Sequence, residues 1–323
     1  MNISVPLSFV IPVRNDAVHL RECLKSIHNA CAECSEIEIL VIDNGSTDDS
    51  VAVARKGGAT LLSIPNARVS ELRNRGAAAA RGTVLAFIDS DHEIAAGWGS
   101  CALESLAVTS IGAVGALCWP PQRPTWVQRV YDGLRDHREG AHDVQWLGSG
   151  NLAVKRDAFL AVGGFDARLD VCEDVDLCRK LRSAGYRLVA DSRLRSIHKG
   201  DPPTLGALFR AELWRGRDNL RVSLRSPLTW SELPSIVIPV VDFACLAGAS
   251  VALLMFGRRG VPAAIFGITV VSALSLLRSI RIYRRLAPRR TLDLMKAFLV
   301  AAVYDAARAL ALVLPVSHRR SKA

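Results

Sequence analysis

The chain has 323 residues, room for one large domain with an appendage or for two domains. Half of it is hydrophobic and the net charge is +10, but the charge is uneven: residues 1–231 hold 28 Lys and Arg against 27 Asp and Glu, residues 232–323 hold 13 against 4. The excess sits beside the most apolar segments, and no basic stripe interleaved with aromatics precedes residue 231. That pattern points to an anionic membrane surface as partner and argues against nucleic acid.

Residues 7–13 read as a strand, and residues 16–29 carry apolar positions at helical spacing. Residues 37–42 are a second strand. Residues 47–56 follow as a helix, with Asp48 and Asp49 in a first turn that suits the helix dipole. Residues 59–64 are a third strand candidate, and an Ala-rich helix runs from Ser70 towards Arg81-Gly82. The apolar run Thr83-Val84-Leu85-Ala86-Phe87-Ile88 then leads into Asp89-Ser90-Asp91. Strands alternating with helices predict βαβ units and a mostly parallel sheet. Residues 111–118 continue as a strand, residues 119–145 read as an irregular, mobile loop, and residues 155–163 and 173–184 as short helices.

The composition changes near Pro234. Residues 235–257 and 261–277 are apolar runs of spanning or near-spanning length, joined by Arg258-Arg259-Gly260. A hairpin would return the chain to the cytosol, where the arginines from Arg278 to Arg290 obey the positive-inside rule; Arg258 and Arg259 do not, so a partly crossing hairpin stays open. Residues 292–314 hold Lys296, Asp305 and Arg308, and an interfacial helix is favoured there over a third span. Asp242 needs a partner or an off-centre position. The N-terminus lacks a basic n-region, so a cytosolic N-terminal domain is expected. The eight scattered cysteines read as buried free thiols of a reducing compartment. Cys31-Ala32-Glu33-Cys34 has C-x-x-C spacing with no second pair at zinc-site distance.

Two carboxylates two residues apart at the carboxyl end of a strand suit a divalent cation and a phosphate-bearing ligand, and hard oxygen donors suit Mg²⁺ or Mn²⁺. Asp89-Ser90-Asp91 belongs to an ordered series: Val10-Ile11-Pro12-Val13-Arg14-Asn15, Val41-Ile42-Asp43-Asn44-Gly45-Ser46-Thr47-Asp48, Arg73-Asn74-x-Gly76, then Gly163-Gly164-Phe165-Asp166, Cys172-Glu173-Asp174-Val175-Asp176-Leu177 and Ala184-Gly185-Tyr186. This series, over about residues 5–220, resembles glycosyltransferase family 2. The resemblance implies a GT-A fold, Rossmann-like with a mostly parallel sheet flanked by helices, over residues 1–231; the apolar runs beyond it predict a membrane-associated helical region over 232–323.

It further implies an inverting transfer of one sugar from a nucleoside-diphosphate sugar to a hydroxyl acceptor. Pro12, Val13, Asn15, Asp43, Arg73 and Asp89 would contact the donor nucleotide, Asp91 would hold Mg²⁺ or Mn²⁺ with Asp89, and His198 would complete that site or be structural. Asp174 would be the base, with Glu173 positioning the acceptor, and Gly150 and Asn151 lie in the acceptor-side loop. Turn chemistry explains Asp43 equally well, since Asp-Asn-Gly-Ser-Thr-Asp is a strong turn signal. A surface ion pair with Glu71 or Asp91 is the plain alternative for Arg73. The crowding of Glu173, Asp174 and Asp176 would raise at least one pKa.

The chain departs from the family in having Arg14 where a tyrosine is usual, and Trp214-Arg215-Gly216-Arg217 does not match the Gln-x-x-Arg-Trp motif of processive synthases. A glycan or lipid-linked acceptor at the inner face of a cell membrane is the expected partner. A sugar nucleotidyltransferase and a non-catalytic scaffold subunit are the competing readings. The first lacks its glycine-rich loop after the first strand, and the second should have lost Asp91 or Asp174.

Overall fold

A computed structural model describes residues 6–34, 36–225 and 233–314. The strands are β1 (Leu7–Val13), β2 (Ile37–Asp43), β3 (Thr60–Ser63), β4 (Val84–Ile88), β5 (His92–Ile94), β6 (Ile111–Gly115), β7 (Cys118–Trp119), β8 (Ala141–Asp143), β9 (Asn151–Lys155), β10 (Arg187–Asp191) and β11 (Ser196–His198). The helices are α1 (Ala17–Ala30), α2 (Ser50–Lys56), α3 (Val69–Ala79), α4 (Trp98–Ala107), α5 (Trp126–Asp132), α6 (Arg156–Ala161), α7 (Glu173–Ser183), α8 (Leu205–Arg215), α9 (Asn219–Ser223), α10 (Leu233–Phe256), α11 (Val261–Arg285) and α12 (Thr291–Leu310). They fall into two compact units. One comprises residues up to Gln122 with His137–Gly200, the other Arg123–Asp136 with the residues from Asp201 onward. The sequence boundary between residues 231 and 232 lies outside the described residues.

The first unit is built on an eight-stranded sheet in the order β3-β2-β1-β4-β9-β6-β10-β8. Strands β3, β2, β1 and β4 are parallel, β9 runs antiparallel between β4 and β6, and β10 returns parallel to β6. All seven residues of β1 and all five of β4 are buried. A strand covered on both faces is near-continuously apolar, and the one polar side chain of β1, Ser8, is satisfied by donating to Glu38 Oε2 at 2.6 Å. Their alternate side chains feed two cores: Phe9, Ile11, Val13 and Val41 on one face, Val10, Leu40, Ile42 and Phe87 on the other. Pro12 is tolerated in β1 because β4 pairs with it only from Leu7 to Val10.

Several elements differ from the sequence reading, each for a local reason. Helix α2 starts at Ser50 and not at residue 47, because Asp48 spends its carboxylate on Ser50 N at 3.0 Å and on Ala17 N at 3.0 Å, lacing two loops together. The 111–118 run splits into β6 in the large sheet and β7 in a second, three-stranded sheet β5-β11-β7. Residues 119–145 are not an irregular loop. They contain α5, opened by a capping box in which Thr125 Oγ1 accepts from Gln128 N at 3.3 Å and Gln128 Oε1 accepts from Thr125 N at 2.9 Å. Strand β9, central in the sheet, escaped the sequence reading entirely.

The second unit is helical. Its core joins Val127, Val130 and Tyr131 of α5 to Leu208 of α8, Ile282 of α11, and Ala297, Val300 and Ala301 of α12. Buried Glu212 accepts from Tyr131 Oη at 2.8 Å, from Arg215 Nη1 at 2.9 Å and from Arg308 Nε at 2.8 Å. Asp293 pairs with Arg129 at 2.5 Å, and Asp305 with Arg278 at 2.8 Å. Asp293, Asp305 and Arg308 of α12 thus have protein partners.

Helices α10 and α11 are joined by a 3₁₀ turn at Gly257–Gly260, and α11 runs past residue 277 to Arg285. A Cβ on Gly267 would lie 2.8 Å from Cys245 O, so the two backbones approach too closely for any side chain at that position. Leu254, Met255, Phe256, Ile265, Phe266 and Leu277 are exposed. The helical stretch Leu233–Arg285 is a candidate membrane segment, with mean hydropathy 2.2 in its most apolar window and 17% of that window buried.

Candidate active site

The parallel strands deliver their carboxyl ends to one edge of the sheet, where ligands of open α/β sheets bind. Val13 and Asp43 stand side by side in register there, and Asn44 N donates to Val13 O at 2.9 Å. Asn15 takes a left-handed backbone (φ 51°). Its N–H donates to Ser46 Oγ at 3.0 Å and its Oδ1 accepts from Thr47 N at 2.7 Å. The buried Asp43 carboxylate accepts from Gly45 N at 3.2 Å and Ser46 N at 3.0 Å. The turn chemistry expected of Asp43 is therefore realised, and it fixes the loop beside Pro12 and Val13.

Asp89 follows β4 directly, and its N–H donates to Gly150 O at 3.2 Å. A Cβ on Gly150 would lie 2.7 Å from Asp89 Oδ2 and 3.2 Å from His92 Nε2. Only glycine leaves room for those two groups to converge. Two residues on, Asp91 Oδ2 meets His198 Nε2 at 3.2 Å. Burial by itself would raise the Asp91 carboxyl, but the His198 hydrogen bond and the charges of His198 and His92 hold it well below the usual carboxylate range. Gly200 makes this approach possible, since a Cβ there would fall 2.1 Å from Asp91 Oδ2. Asp89, Asp91 and His92 each offer a donor atom within 4.8 Å of the others. Carboxylate oxygens with an imidazole are a donor set that fits Mg²⁺ or Mn²⁺.

Arg73 is neither a surface residue nor partnered by Glu71 or Asp91. Its side chain, 3% exposed, extends from α3 with Nη2 on Asp89 Oδ1 at 2.6 Å and Nη1 on Glu173 Oε1 at 2.7 Å. These two contacts use two of the five N–H donors of the guanidinium, and the buried Nε has no hydrogen-bond partner among the described residues. The rest of its motif is structural. Asn74 clasps the backbone of Phe165 with two hydrogen bonds, at 2.8 and 3.0 Å, and a Cβ on Gly76 would meet Val10 Cγ1 at 2.3 Å.

Glu173 and Asp174 open α7 directly after Cys172, a non-glycine residue with φ 61°. Such a left-handed residue is costly and aims the first turn of the helix. Glu173 also accepts from Ser149 Oγ at 3.1 Å. Asp174 Oδ1 accepts from Val175 N at 2.8 Å. Burial, and then the neighbouring charge of Glu173, push the Asp174 carboxyl up to about 7, while the more distant Arg73 pulls it down. Asp176 is drawn off to Lys180 at 2.8 Å and takes no part in this pair.

Asn151 does not serve the acceptor loop with its side chain. It is 3% exposed, accepts from Trp98 Nε1 at 2.9 Å, and donates to Leu194 O at 2.7 Å and Ala116 O at 3.1 Å. It is the first residue of β9 and anchors that strand. Sequence reasoning missed His92 and Gly200. His92 directly follows the Asp-x-Asp motif and was the one open to discovery by spacing.

The Glycosyl transferase family 2 model matches residues 8–140. Glycosyltransferase AglE of Haloferax volcanii is 26% identical over 226 residues, 67% of this chain and 73% of the relative. The pre-mycofactocin glycosyltransferase of Mycobacterium tuberculosis is 31% identical over 208 residues, 56% of this chain and 40% of the relative. Among solved structures, the mannosyltransferase PcManGT from Pyrobaculum calidifontis, in complex with GDP-Man and Mn²⁺, aligns with TM-score 0.57 at 19% identity, covering 96% of this chain and 88% of that one. Staphylococcus aureus TarS 1–349 aligns with TM-score 0.52 at 15% identity, covering 94% of this chain and 90% of that one. The structural likenesses show a GT-A-like fold, and the family match identifies a glycosyltransferase family 2 domain over residues 8–140.

Proposed function

We propose that the chain moves one sugar from a nucleoside-diphosphate sugar to a hydroxyl acceptor with inversion at the anomeric carbon. The observation that carries this reading is the Arg73 bridge, which ties Asp89 on the donor side to Glu173, the neighbour of Asp174, in one constellation. The nucleotide lies along Pro12, Val13, Asn15 and Asp43, with its ribose and diphosphate towards Asp89. Asp174 takes the proton of the acceptor hydroxyl as its oxygen bonds to the anomeric carbon, and the bond from that carbon to the diphosphate oxygen breaks. Asp91, with Asp89 and His198, would hold a divalent cation, which neutralises charge on the leaving diphosphate. Mn²⁺ and a GDP-sugar in the PcManGT complex favour this choice. The candidate membrane segment supports an acceptor that is lipid-linked or part of an envelope glycan, with the catalytic unit on the cytoplasmic face and residues 232–323 as the membrane-associated region.

Titration with a panel of nucleoside-diphosphate sugars, with Mn²⁺ and with chelator, tests the reading. One donor should bind, and Asp91→Asn should weaken its cation-dependent binding by about a hundredfold, a few kcal/mol of cation-mediated attraction. Equal binding by Asp91→Asn, or no donor bound by folded protein, would contradict it.

The base role carries a sign. With the Asp174 carboxyl near 7, the ionised form that can accept a proton grows as pH rises through neutrality, so the turnover rate should climb on an acid limb centred near there. Glu173→Gln removes one of the causes of that elevation, and the limb should move to lower pH. A limb that stays in place would detach it from Asp174.

A further inference from the structure

The three-stranded sheet β5-β11-β7 does more than present His198. Strand β11 lies in its middle, with His198 opposite His92 of β5 and Ser196 opposite Cys118 of β7. Residues two apart on a strand share a face, so Ser196 and His198 point the same way, with both cross-strand partners beside them. The His92 and His198 rings lie 4.6 Å apart between centroids. Donor atoms of His92, Cys118 and His198 all fall within 4.8 Å of one another. Buried Ser196 Oγ bonds His92 Nδ1 at 2.9 Å. That bond orients the ring and turns Nε2 towards the cluster, the arrangement by which an outer hydrogen bond prepares an imidazole to bind metal.

We propose that His92, Cys118 and His198 form a transition-metal site for a borderline ion, Zn²⁺ above all. Two imidazoles and a thiolate are the donors such ions prefer, whereas Mg²⁺ and Mn²⁺ favour oxygen. A tetrahedral ion with bonds of about 2.0–2.3 Å sets its donors about 3.3–3.8 Å apart, so the partly buried Cys118 and His198 side chains close in by roughly 1 Å. Asp91, already at 3.2 Å from His198 Nε2, or a water is at hand as fourth ligand. This site shares His92 and His198 with the carboxylate site but does not depend on which sugar donor the enzyme uses. Zinc held here occupies the imidazoles beside Asp91, which makes the ion an antagonist of the oxygen-ligated cation.

The test uses the full-length, metal-stripped protein and Co²⁺ as a spectroscopic stand-in for zinc, read without any sugar donor. Wild type should show intense tetrahedral d–d bands and a near-ultraviolet thiolate-to-cobalt band, both displaced by Zn²⁺. Cys118→Ser should lose the thiolate band and bind Zn²⁺ at least about tenfold more weakly. Cys34→Ser should keep the band, which separates this site from the Cys31–Cys34 pair. A band that survives in Cys118→Ser, vanishes in Cys34→Ser, or never forms in wild type would overturn the proposal. Should Cys118→Ser fail to fold by circular dichroism, Ser196→Ala decides. It keeps the thiolate band but should lose about tenfold in affinity through the freed His92 ring, and unchanged affinity there overturns the site as drawn.

Discussion

Asp174→Asn is expected to bind donor as tightly as wild type and to lose transfer by about 10²–10⁴-fold, the usual contribution of a positioned general base. The amide keeps the shape of the carboxylate and can still accept from Val175 N, now held at 2.8 Å, so α7 should form normally. It cannot take the acceptor's proton. Separate measurements of donor binding by calorimetry and of single-turnover transfer distinguish the two roles. Equal losses in both would mean that Asp174 is a donor ligand and that the base lies elsewhere.

Arg73→Met should carry the largest structural penalty of any single change at the site. It strips the cation from Glu173, whose side chain is 10% exposed, and from Asp89, which is 36% exposed. Removing one partner of a buried pair costs about 3–5 kcal/mol, and the half-open Asp89 brings the expectation to the lower end, about 3 kcal/mol. For a unit of this size that lowers Tm by about 6–12 °C. The Asp174 carboxyl also loses a nearby positive charge, so the acid limb of the rate should shift to higher pH, opposite to the shift in Glu173→Gln. A variant with unchanged Tm would show that water, not Arg73, neutralises these carboxylates.

The sequence disclosed those parts of the fold whose physics is local and repetitive. Strands β1, β2 and β4 announce themselves because burial on both faces favours near-continuous apolar runs, and the motifs at their ends identify the site edge. Strand β9 stayed hidden. Asn-Leu-Ala-Val-Lys is short, follows a Gly-Ser-Gly turn and runs straight into a helix, so nothing local separates it from loop. Its position is set by pairing with β4 and β6, which are distant in sequence. The same limit applied to Arg73. Its type and motif were visible, but its partners lie 16 and 100 positions away and only the fold brings them together. Asn151 misled in the opposite sense, because a polar residue in a glycine-rich loop resembles a ligand contact until its amide is seen spent on Trp98 and Leu194. In the helical unit Asp293, Asp305 and Arg308 of α12 find Arg129, Arg278 and Glu212, and two of these partners, Arg129 and Glu212, lie far off in the sequence.

Helix α5 belongs to the helical unit although it is spelled in the middle of the sheet unit. Its apolar residues Val127, Val130 and Tyr131 are satisfied by α8, α11 and α12. During synthesis the ribosome releases α5 roughly 170 residues before the last of those partners, a delay of about 10–30 s at ordinary translation speed. Once β10 has emerged the eight-stranded sheet has all its strands, while the apolar helix still waits for α12. A message stalled before the α12 codons should therefore yield an aggregation-prone product, read as loss of soluble protein relative to the full-length chain.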